Sequence, residues 1–334
     1  MTATQDQMGP EQMVAEAERA GALLARARAE IGRTIFGQER VIELVLAGVL
    51  AGGHVLLVGA PGLAKTKLVA ALATVLGLDW GRVQFTPDLM PADIIGSEIL
   101  DQAADGSRSF RFVPGPIFTR LLMADEINRA SPRTQSALLQ AMQEHQVTVA
   151  GRAYPLPEPF HVLATQNPIE HEGAYPLPEA QLDRFLLQVD VPYPDAETER
   201  RILVETTGLG EQTPSAVLDA ASLIALQRLV RRMPVGEKVL AAILELVRSA
   251  RPGGSPDPRV NKHVAWGPGP RAGQALMLAV RARALLRGRL APALDDVTAL
   301  ARPALVHRMA LSFGARADGL DVEGLVDDLA SKAA

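Results

Sequence analysis

The segment at 59–66, GAPGLAKT, has the residue types of a loop that binds phosphate groups. Such loops follow G-x-x-x-x-G-K-[ST], in which backbone N–H groups and a helix N-terminus face the phosphates, lysine adds a point charge and the final hydroxyl binds magnesium. Ala64 stands where the signature has glycine, and we expect its methyl group to be tolerated if its φ is negative, as at a helix start. We predict that eight residues form the phosphate site, with Thr66 also binding magnesium: Gly59, Ala60, Pro61, Gly62, Leu63, Ala64, Lys65 and Thr66.

Two further segments end in polar side chains that such a loop needs. LLMADE at 121–126 is an apolar run that ends in two carboxylates. Asp125 can bind the magnesium ion, and Glu126 can polarise the attacking water as a general base. HVLAT at 161–165 is followed by Gln166 and Asn167, and the Asn167 amide could orient water near the terminal phosphate. Alone, these residues are typical of a strand entering solvent or of a turn, so the catalytic interpretation depends on the phosphate loop.

These side chains require a parallel sheet that brings the ends of its strands together. Five short apolar segments are predicted strands, and they alternate with stretches rich in helix-forming residues. The predicted strands lie at 54–58, 82–85, 121–125, 161–165 and 185–189, and the clearest helices at 12–31, 38–51 and 132–144. This alternation favours an α/β fold with helices on both faces of the sheet. Two inserted β-hairpins are predicted at 97–112 and 145–156, with turns at Asp105-Gly106 and Ala150-Gly151.

The chain after Pro194 has a different character. Amphipathic helices rich in Leu and Ala fill 195–333, separated by the loops GLGEQTP and RPGGSPDPRVNKHVAWGPGP, and no strand is predicted there. A chain of 334 residues often forms two domains. We therefore predict an α/β core with N-terminal helices at 1–208 and a smaller all-α lid domain at 209–334.

Composition limits the possible functions. The net charge of −4 gives no electrostatic reason to expect nucleic-acid binding. The chain has no cysteine, which excludes disulfides and thiolate chemistry, and none of its six histidines lies in a zinc motif such as HExxH. The most apolar run, at 45–60, is broken by Gly52, Gly53 and His54, so we expect no membrane span. The first residues lack the pattern of a secretory signal, and we expect a cytoplasmic protein.

Five segments closely resemble the MoxR family of AAA+ ATPases: GAPGLAKT, QFTPDLMPADIIGS, GPIFTRLLMADEINRASPRTQSALLQAMQE, FHVLATQNPIEHEGAYPLPEAQLDRF and GPGPRA. The resemblance covers nearly the whole chain, and alanine before the lysine is itself usual in that family. It implies that Lys65 and Thr66 are the Walker A pair and Asp125 and Glu126 the Walker B pair. It also implies that Asn167 is the sensor-one residue, in agreement with the residue chemistry above.

The same resemblance implies two catalytic arginines. Arg184, in LDRF, would be an arginine finger that reaches the nucleotide of a neighbouring subunit, and Arg271, in GPGPRA, would be the sensor-two arginine of the lid. An arginine finger stabilises charge that develops in the transition state, so a finger supplied by a neighbour makes hydrolysis depend on assembly. Arg129 and Arg133 lie close to the same edge of the sheet and could share or take over that role.

For the whole protein, the resemblance implies ATP and Mg²⁺ as cofactors and a homo-oligomeric ring, hexameric in this family. It implies chaperone-like remodelling, maturation or metal-cofactor insertion of a partner protein, with a von Willebrand factor A domain protein as the expected partner. The two hairpins would contact the remodelled protein. A nucleic-acid motor is the second interpretation, because related rings with these hairpins move DNA, and a nucleotide-binding scaffold without turnover is the third. A GTPase would need N-K-x-D, and NKHV at 261–264 lacks the aspartate.

Overall fold

The structure, a computed structural model, describes residues 10–102, 107–169, 174–208, 212–317 and 319–333. Its helices are α1 Pro10–Gly32, α2 Glu39–Leu50, α3 Lys65–Leu76, α4 Pro91–Ile95, α5 Pro132–Glu144, α6 Glu179–Leu182, α7 Ala196–Thr206, α8 Ala220–Arg232, α9 Glu237–Ser249, α10 Pro258–His263, α11 Pro270–Leu286, α12 Leu294–Leu305, α13 Phe313–Ala317 and α14 Val322–Ala333. Its strands are β1 Val55–Val58, β2 Trp80–Gln84, β3 Gly96–Gln102, β4 Arg108–Pro114, β5 Leu121–Asp125, β6 Gln146–Val149, β7 Arg152–Pro155, β8 His161–Gln166, β9 Leu187–Asp190, β10 Val264–Trp266 and β11 Ala310–Leu311. Two 3₁₀ turns, Ile127–Arg129 and Val306–Arg308, follow β5 and α12.

A parallel five-stranded sheet forms the centre of the N-terminal region, with the strand order β2-β5-β8-β1-β9. All five strands predicted from the sequence are present, which confirms the α/β fold class. Successive side chains alternate between two apolar clusters: Leu57 and Met123 belong to one cluster, and Leu56 and Leu122 to the other. This alternation arises because the sheet is buried on both faces. Since β5, β8 and β1 are neighbours, the polar residues that follow them meet at one edge.

The two predicted hairpins are also present. β3 pairs with β4 and β6 with β7, both antiparallel. Ala150 and Gly151 have φ values of 47° and 78°, the left-handed conformation that a two-residue hairpin turn requires. The other predicted turn, Asp105-Gly106, lies outside the described residues. Phe112 of β4 stacks on Tyr154 of β7, with ring centroids 4.0 Å apart, so the two hairpins pack together.

The C-terminal region is helical, as predicted, with one addition. β10 and β11 form a small antiparallel pair in which Val264 lies opposite Leu311, where the sequence predicted helices alone. The predicted domain boundary, between 208 and 209, falls at the edge of the described residues, and the division into two domains stays a prediction. One apolar cluster nevertheless runs from α1, α2 and α3 into α8, α9, α11, α12 and α14.

A buried ion network also joins α2 to the C-terminal helices. The Glu43 carboxylate accepts a hydrogen bond from Arg287 Nε at 2.8 Å and lies 3.2 Å from Arg283 Nε. Arg283 pairs in turn with Asp296, and Glu43, Arg283 and Asp296 are all buried. Removing one member would leave buried charge without a partner, which typically costs about 3–5 kcal/mol. The network therefore fixes the C-terminal helices against the α/β core.

Among the described residues, we find no helix with both the length and the apolar character needed to cross a bilayer.

Candidate nucleotide-binding site

A cavity of about 410 Å³ opens at the carboxyl ends of β1, β5 and β8. Ligands bind at this edge in open parallel sheets, because loops and helix N-termini converge there. The cavity brings together most of the residues predicted from the sequence. Its lining residues are Pro61, Gly62, Leu63, Ala64, Lys65, Thr66, Lys67, Arg82, Asp125, Glu126, Thr165 and Asn167. Gly59 and Ala60 complete the loop between β1 and α3, and both of their carbonyl oxygens bind the Lys65 side chain.

Ala64 has a φ of +56°, directly before the first residue of α3. The expectation of a negative φ at this position is therefore wrong. The left-handed conformation places Cβ close to the following carbonyl oxygen, which costs an L-residue roughly 1–2 kcal/mol. The loop reverses direction between β1 and α3, and this closure requires the conformation that the signature glycine adopts without strain. The alanine is tolerated because the surrounding loop holds it.

Replacing Ala64 by glycine should raise the free energy of unfolding by up to about 1 kcal/mol, since the left-handed strain disappears while the unfolded chain gains some entropy. Urea denaturation of the two proteins measures this difference. Ala70→Gly, in the interior of α3, is the matched control and should lower stability by about 1 kcal/mol. A loss of stability in both variants would contradict the prediction.

The Lys65 ammonium group lies inside the loop that would surround a phosphate. It donates hydrogen bonds to the carbonyl oxygens of Gly59, at 2.7 Å, and Ala60, at 2.8 Å. Burial lowers the pKa of Lys65, and the nearby carboxylates of Asp125 and Glu126 partly oppose that shift. The side chain is thus anchored at the base of the cavity, where a point charge can meet phosphate oxygens.

Asp125 is held by neighbours on the adjacent strands. The Thr165 hydroxyl, on β8, donates to Asp125 Oδ1 at 2.6 Å and accepts a hydrogen bond from the Glu126 backbone N–H at 2.8 Å. On β2, Arg82 donates from Nε to Asp125 Oδ2 at 3.1 Å, and its Nη2 contacts the same oxygen. Asp125 itself is buried. These contacts fix the direction of the Asp125 carboxylate.

Glu126 is oriented by a different pair of donors. Its φ is +55°, so the chain turns sharply where β5 ends. Gln84 Nε2 donates to Glu126 Oε2 at 2.7 Å, and Arg129 Nη1 donates to the same oxygen at 3.0 Å. Arg129 therefore contacts a carboxylate of its own chain, and its part in the finger role stays a prediction.

Asn167 is buried at the end of β8 and lines the cavity. Its Oδ1 accepts a hydrogen bond from the Ile169 backbone N–H at 3.1 Å. This bond fixes the side-chain amide by its oxygen, so the NH₂ group is the end available to orient another group. The position agrees with a residue that faces the terminal phosphate.

The oxygen atoms at this cavity suit magnesium. Mg²⁺ prefers hard oxygen ligands and usually takes one or two from the protein, with the rest from water and phosphate groups. The Asp125 carboxylate and the Thr66 hydroxyl belong to residues that line the same cavity as the loop. Thr66 and Asp125 are therefore the residues that would hold the ion.

The remaining predicted arginines lie elsewhere. Neither Arg184 nor Arg271 is among the lining residues of this cavity in the part of the chain that the structure describes. Arg184 follows α6, and Arg271 lies in the first turn of α11, with its Nη1 3.5 Å from the Asp183 carboxylate. Arg271 thus contacts the residue that directly precedes Arg184 in the chain. Arg133 is exposed at the start of α5.

Arg82, Gln84 and Thr165 are site residues that the sequence analysis did not identify. Arg82 and Gln84 are two residues apart on β2, and Gln84 lies opposite Asp125 in the sheet. Polar residues at alternate positions of a predicted strand are a usable signal. It becomes informative only when β2 is known to lie beside β5, and that order is not evident from the sequence.

Comparison with known proteins agrees with this geometry. Residues 54–187 match the model of the ATPase family associated with various cellular activities (AAA), and residues 257–329 match the AAA lid domain. A crystal structure of a candidate ATPase from Cytophaga hutchinsonii superposes with a TM-score of 0.87 at 34% identity, covering 97% of this chain and 98% of that chain. The fold and the site thus define an AAA+ ATPase.

Sequence relatives show to which family of AAA+ ATPases the chain belongs. The chain is 43% identical to Chaperone MoxR1 of Mycobacterium tuberculosis, over 91% of this chain and 80% of the relative. It is 42% identical to the protein YeaC of Bacillus subtilis, over 92% and 93%. It is 34% identical to Protein MoxR of Methylorubrum extorquens, over 86% and 87%. The chain belongs to the MoxR family of AAA+ ATPases.

Proposed function

We propose that this protein hydrolyses ATP with Mg²⁺ at the cavity beside the phosphate loop, in a ring of identical subunits, and couples turnover to the remodelling of a partner protein. One observation carries the proposal: the loop with Lys65 and Thr66, the carboxylates of Asp125 and Glu126, and the Asn167 amide line a single cavity. This is the set of groups that phosphoryl transfer to water requires.

Each group has a separate task in the proposed reaction. The loop N–H groups and Lys65 hold the phosphates, while Glu126 accepts a proton from the attacking water and Asn167 orients it. Bound Mg²⁺ would supply charge neutralisation on the phosphate oxygens from its place at Thr66 and Asp125. The hydrogen bonds from Gln84 and Arg129 fix the direction of the Glu126 carboxylate, which would accept that proton.

The arginines support a shared site. Among the described residues, Arg184 and Arg271 do not line the cavity of their own chain, so we propose that both face the nucleotide of a neighbouring subunit. The Nε of Arg184 is buried and lacks a hydrogen-bond partner within the described residues. The residue as a whole is half-buried, and its guanidinium carries a permanent positive charge that gains by contact with an anionic group.

The partner protein is proposed from similarity. A relative with 43% identity is named a chaperone, and the family resemblance leads us to propose a hexamer that acts with a von Willebrand factor A domain protein. Metal-cofactor insertion is one form that such remodelling could take. The cytoplasmic location and the lack of nucleic-acid binding stay predictions.

The proposal is tested by ATP hydrolysis per subunit, measured over a range of protein concentrations with and without Mg²⁺. Glu126→Gln should lower turnover by about 10²-fold or more, because an amide cannot take the proton, while nucleotide binding persists. Glu245→Gln, an exposed carboxylate on α9, is the matched control and should not change turnover. Specific activity that rises with concentration supports a shared site. Wild-type protein that binds nucleotide without turnover at any concentration would favour the scaffold interpretation.

A further inference from the structure

Arg308 is a fully buried arginine that lies in the C-terminal region, 125 residues along the chain from the segment it contacts. It ends the 3₁₀ turn that follows α12. Its contacts are with Asp183, Phe185 and Leu186, which flank Arg184 on both sides. A charged side chain is rarely buried unless its partners fix a specific geometry.

All five N–H donors of the Arg308 guanidinium have acceptors. Nε donates to Asp183 Oδ1 at 2.7 Å, and Nη2 donates to the carbonyl oxygens of Phe185, at 2.6 Å, and Asp183, at 3.3 Å. Nη1 donates to the Leu186 carbonyl at 3.2 Å and to that of Ala304 in the last turn of α12. The planar Arg308 guanidinium thus binds the backbone before and after Arg184 at the same time.

Neighbouring contacts hold the same segment. The His307 ring, through Nε2, contacts the Phe185 carbonyl at 3.1 Å, and the Phe185 side chain is fully buried. The Leu186 backbone N–H donates to the His54 carbonyl at 2.8 Å, ahead of β9. The backbone that carries Arg184 is therefore fixed between the sheet and the C-terminal helices.

We propose that Arg308 is a positioning residue for the arginine finger: it fixes the backbone around Arg184 so that the Arg184 side chain reaches the nucleotide of the next subunit. The inference rests on the proposed function, in which Arg184 acts on a neighbour. Arg308 itself touches no nucleotide in this proposal. It acts through Arg184 alone, so its effect belongs to the subunit that supplies the finger and not to the subunit that holds the ATP.

Because the effect belongs to the subunit that supplies the finger, it can be tested in mixtures of two variants. A residue that only stabilises the fold would lower activity from either subunit. One chain carries Lys65→Ala and keeps an intact finger, and the other carries Arg184→Ala and keeps an intact nucleotide site. Each variant alone should be inactive, and the equimolar mixture should regain activity at interfaces where the first chain serves the second. Arg308→Lys, which keeps the charge but not the five-donor fork, is then added to either chain.

Arg308→Lys on the Lys65→Ala chain should lower the activity of the mixture roughly tenfold to a hundredfold, since misplacement by about 1 Å can have that effect. The same substitution on the Arg184→Ala chain should leave the activity of the mixture nearly unchanged. Arg302→Lys is the matched control: this half-buried arginine of α12 pairs with Glu323 and Asp327 on α14 and should change neither mixture.

Equal losses with Arg308→Lys on either chain, or no loss on either, would overturn the positioning role. If a melting curve shows that Arg308→Lys does not fold, Arg308→Gln replaces it, because the glutamine amide can still donate to a backbone carbonyl and the pair of Asp183 with Arg271 is left in place. It should show the same one-sided loss, and a symmetric result with this variant again overturns the inference. A mixture of Lys65→Ala and Arg184→Ala without activity would instead reject the shared site, which is a failure of the proposed function.

Discussion

Arg184→Ala is expected to lower ATP turnover on the order of 10³-fold or more, the effect of losing an arginine finger. Nucleotide binding should change little, because Arg184 does not line the cavity of its own chain among the described residues. The variant should still assemble, since the backbone around position 184 is held by Arg308 and His307 and not by the Arg184 side chain. Single-turnover hydrolysis and nucleotide titration separate the two effects.

The Lys65→Ala variant supplies the complementary test. Mixed with Arg184→Ala in equal amounts, it should restore roughly a quarter of the wild-type rate, because random assembly gives that share of interfaces an intact site and an intact finger. Arg133→Ala is the matched control from the same edge of the sheet, exposed at the start of α5. If Arg133→Ala shows the large loss that mixing restores and Arg184→Ala does not, the finger is Arg133.

Stability should fall steeply between pH 6.5 and about 4, because three histidines are buried in neutral form. Burial, with a smaller contribution from the neighbouring His161, lowers the pKa of His54 to about 3. Burial likewise lowers the pKa of His161 to about 4, and that of His307 well below its usual range. The Val162 N–H donates to His54 Nδ1 at 2.9 Å, which requires a ring without a proton on that nitrogen.

The direction in which the free energy of unfolding changes with pH follows from proton binding by the histidines. Above pH 6.5 the rings are neutral in both the folded and the unfolded chain, so they make no pH-dependent contribution. Below it the unfolded chain binds protons that the folded chain cannot bind, and the free energy of unfolding falls by about 1.4 kcal/mol per pH unit for each histidine. Denaturant unfolding at a series of pH values between 8 and 4.5 measures this slope.

His161→Gln should reduce the slope by about 1.4 kcal/mol per pH unit. His145→Asn is the matched control, since His145 is exposed and asparagine tolerates its left-handed φ of +53°. An unchanged slope in His161→Gln would show that this ring is not the group that titrates on unfolding.

The elements that the sequence predicts well are those with a local signal. The loop at 59–66, the carboxylates of Asp125 and Glu126, and Asn167 each follow an apolar strand, and the parallel sheet brings them to one edge. Resemblance to a family supported them further, although their catalytic roles remain proposals.

The contacts that could not be predicted are non-local. Arg82 contacts Asp125 because β2 lies beside β5, and Thr165 does so from the strand on the other side. Arg308 meets Asp183 only after the C-terminal helices pack against the sheet. The left-handed φ of Ala64 likewise depends on how the whole loop closes, and a negative φ was the natural expectation for alanine.

The apolar cluster that joins α1 and α2 to α9, α11 and α12 has a mechanical consequence. Domains that share a small polar interface move relative to each other, whereas a large apolar one resists such motion. With the Glu43 ion network added, swinging the C-terminal helices away from the core would expose both apolar surface and buried charge. In the proposed ring, the described part of each subunit would therefore move as one unit. Work from ATP would be delivered by rotation of one subunit against the next, and by the paired hairpins at its surface.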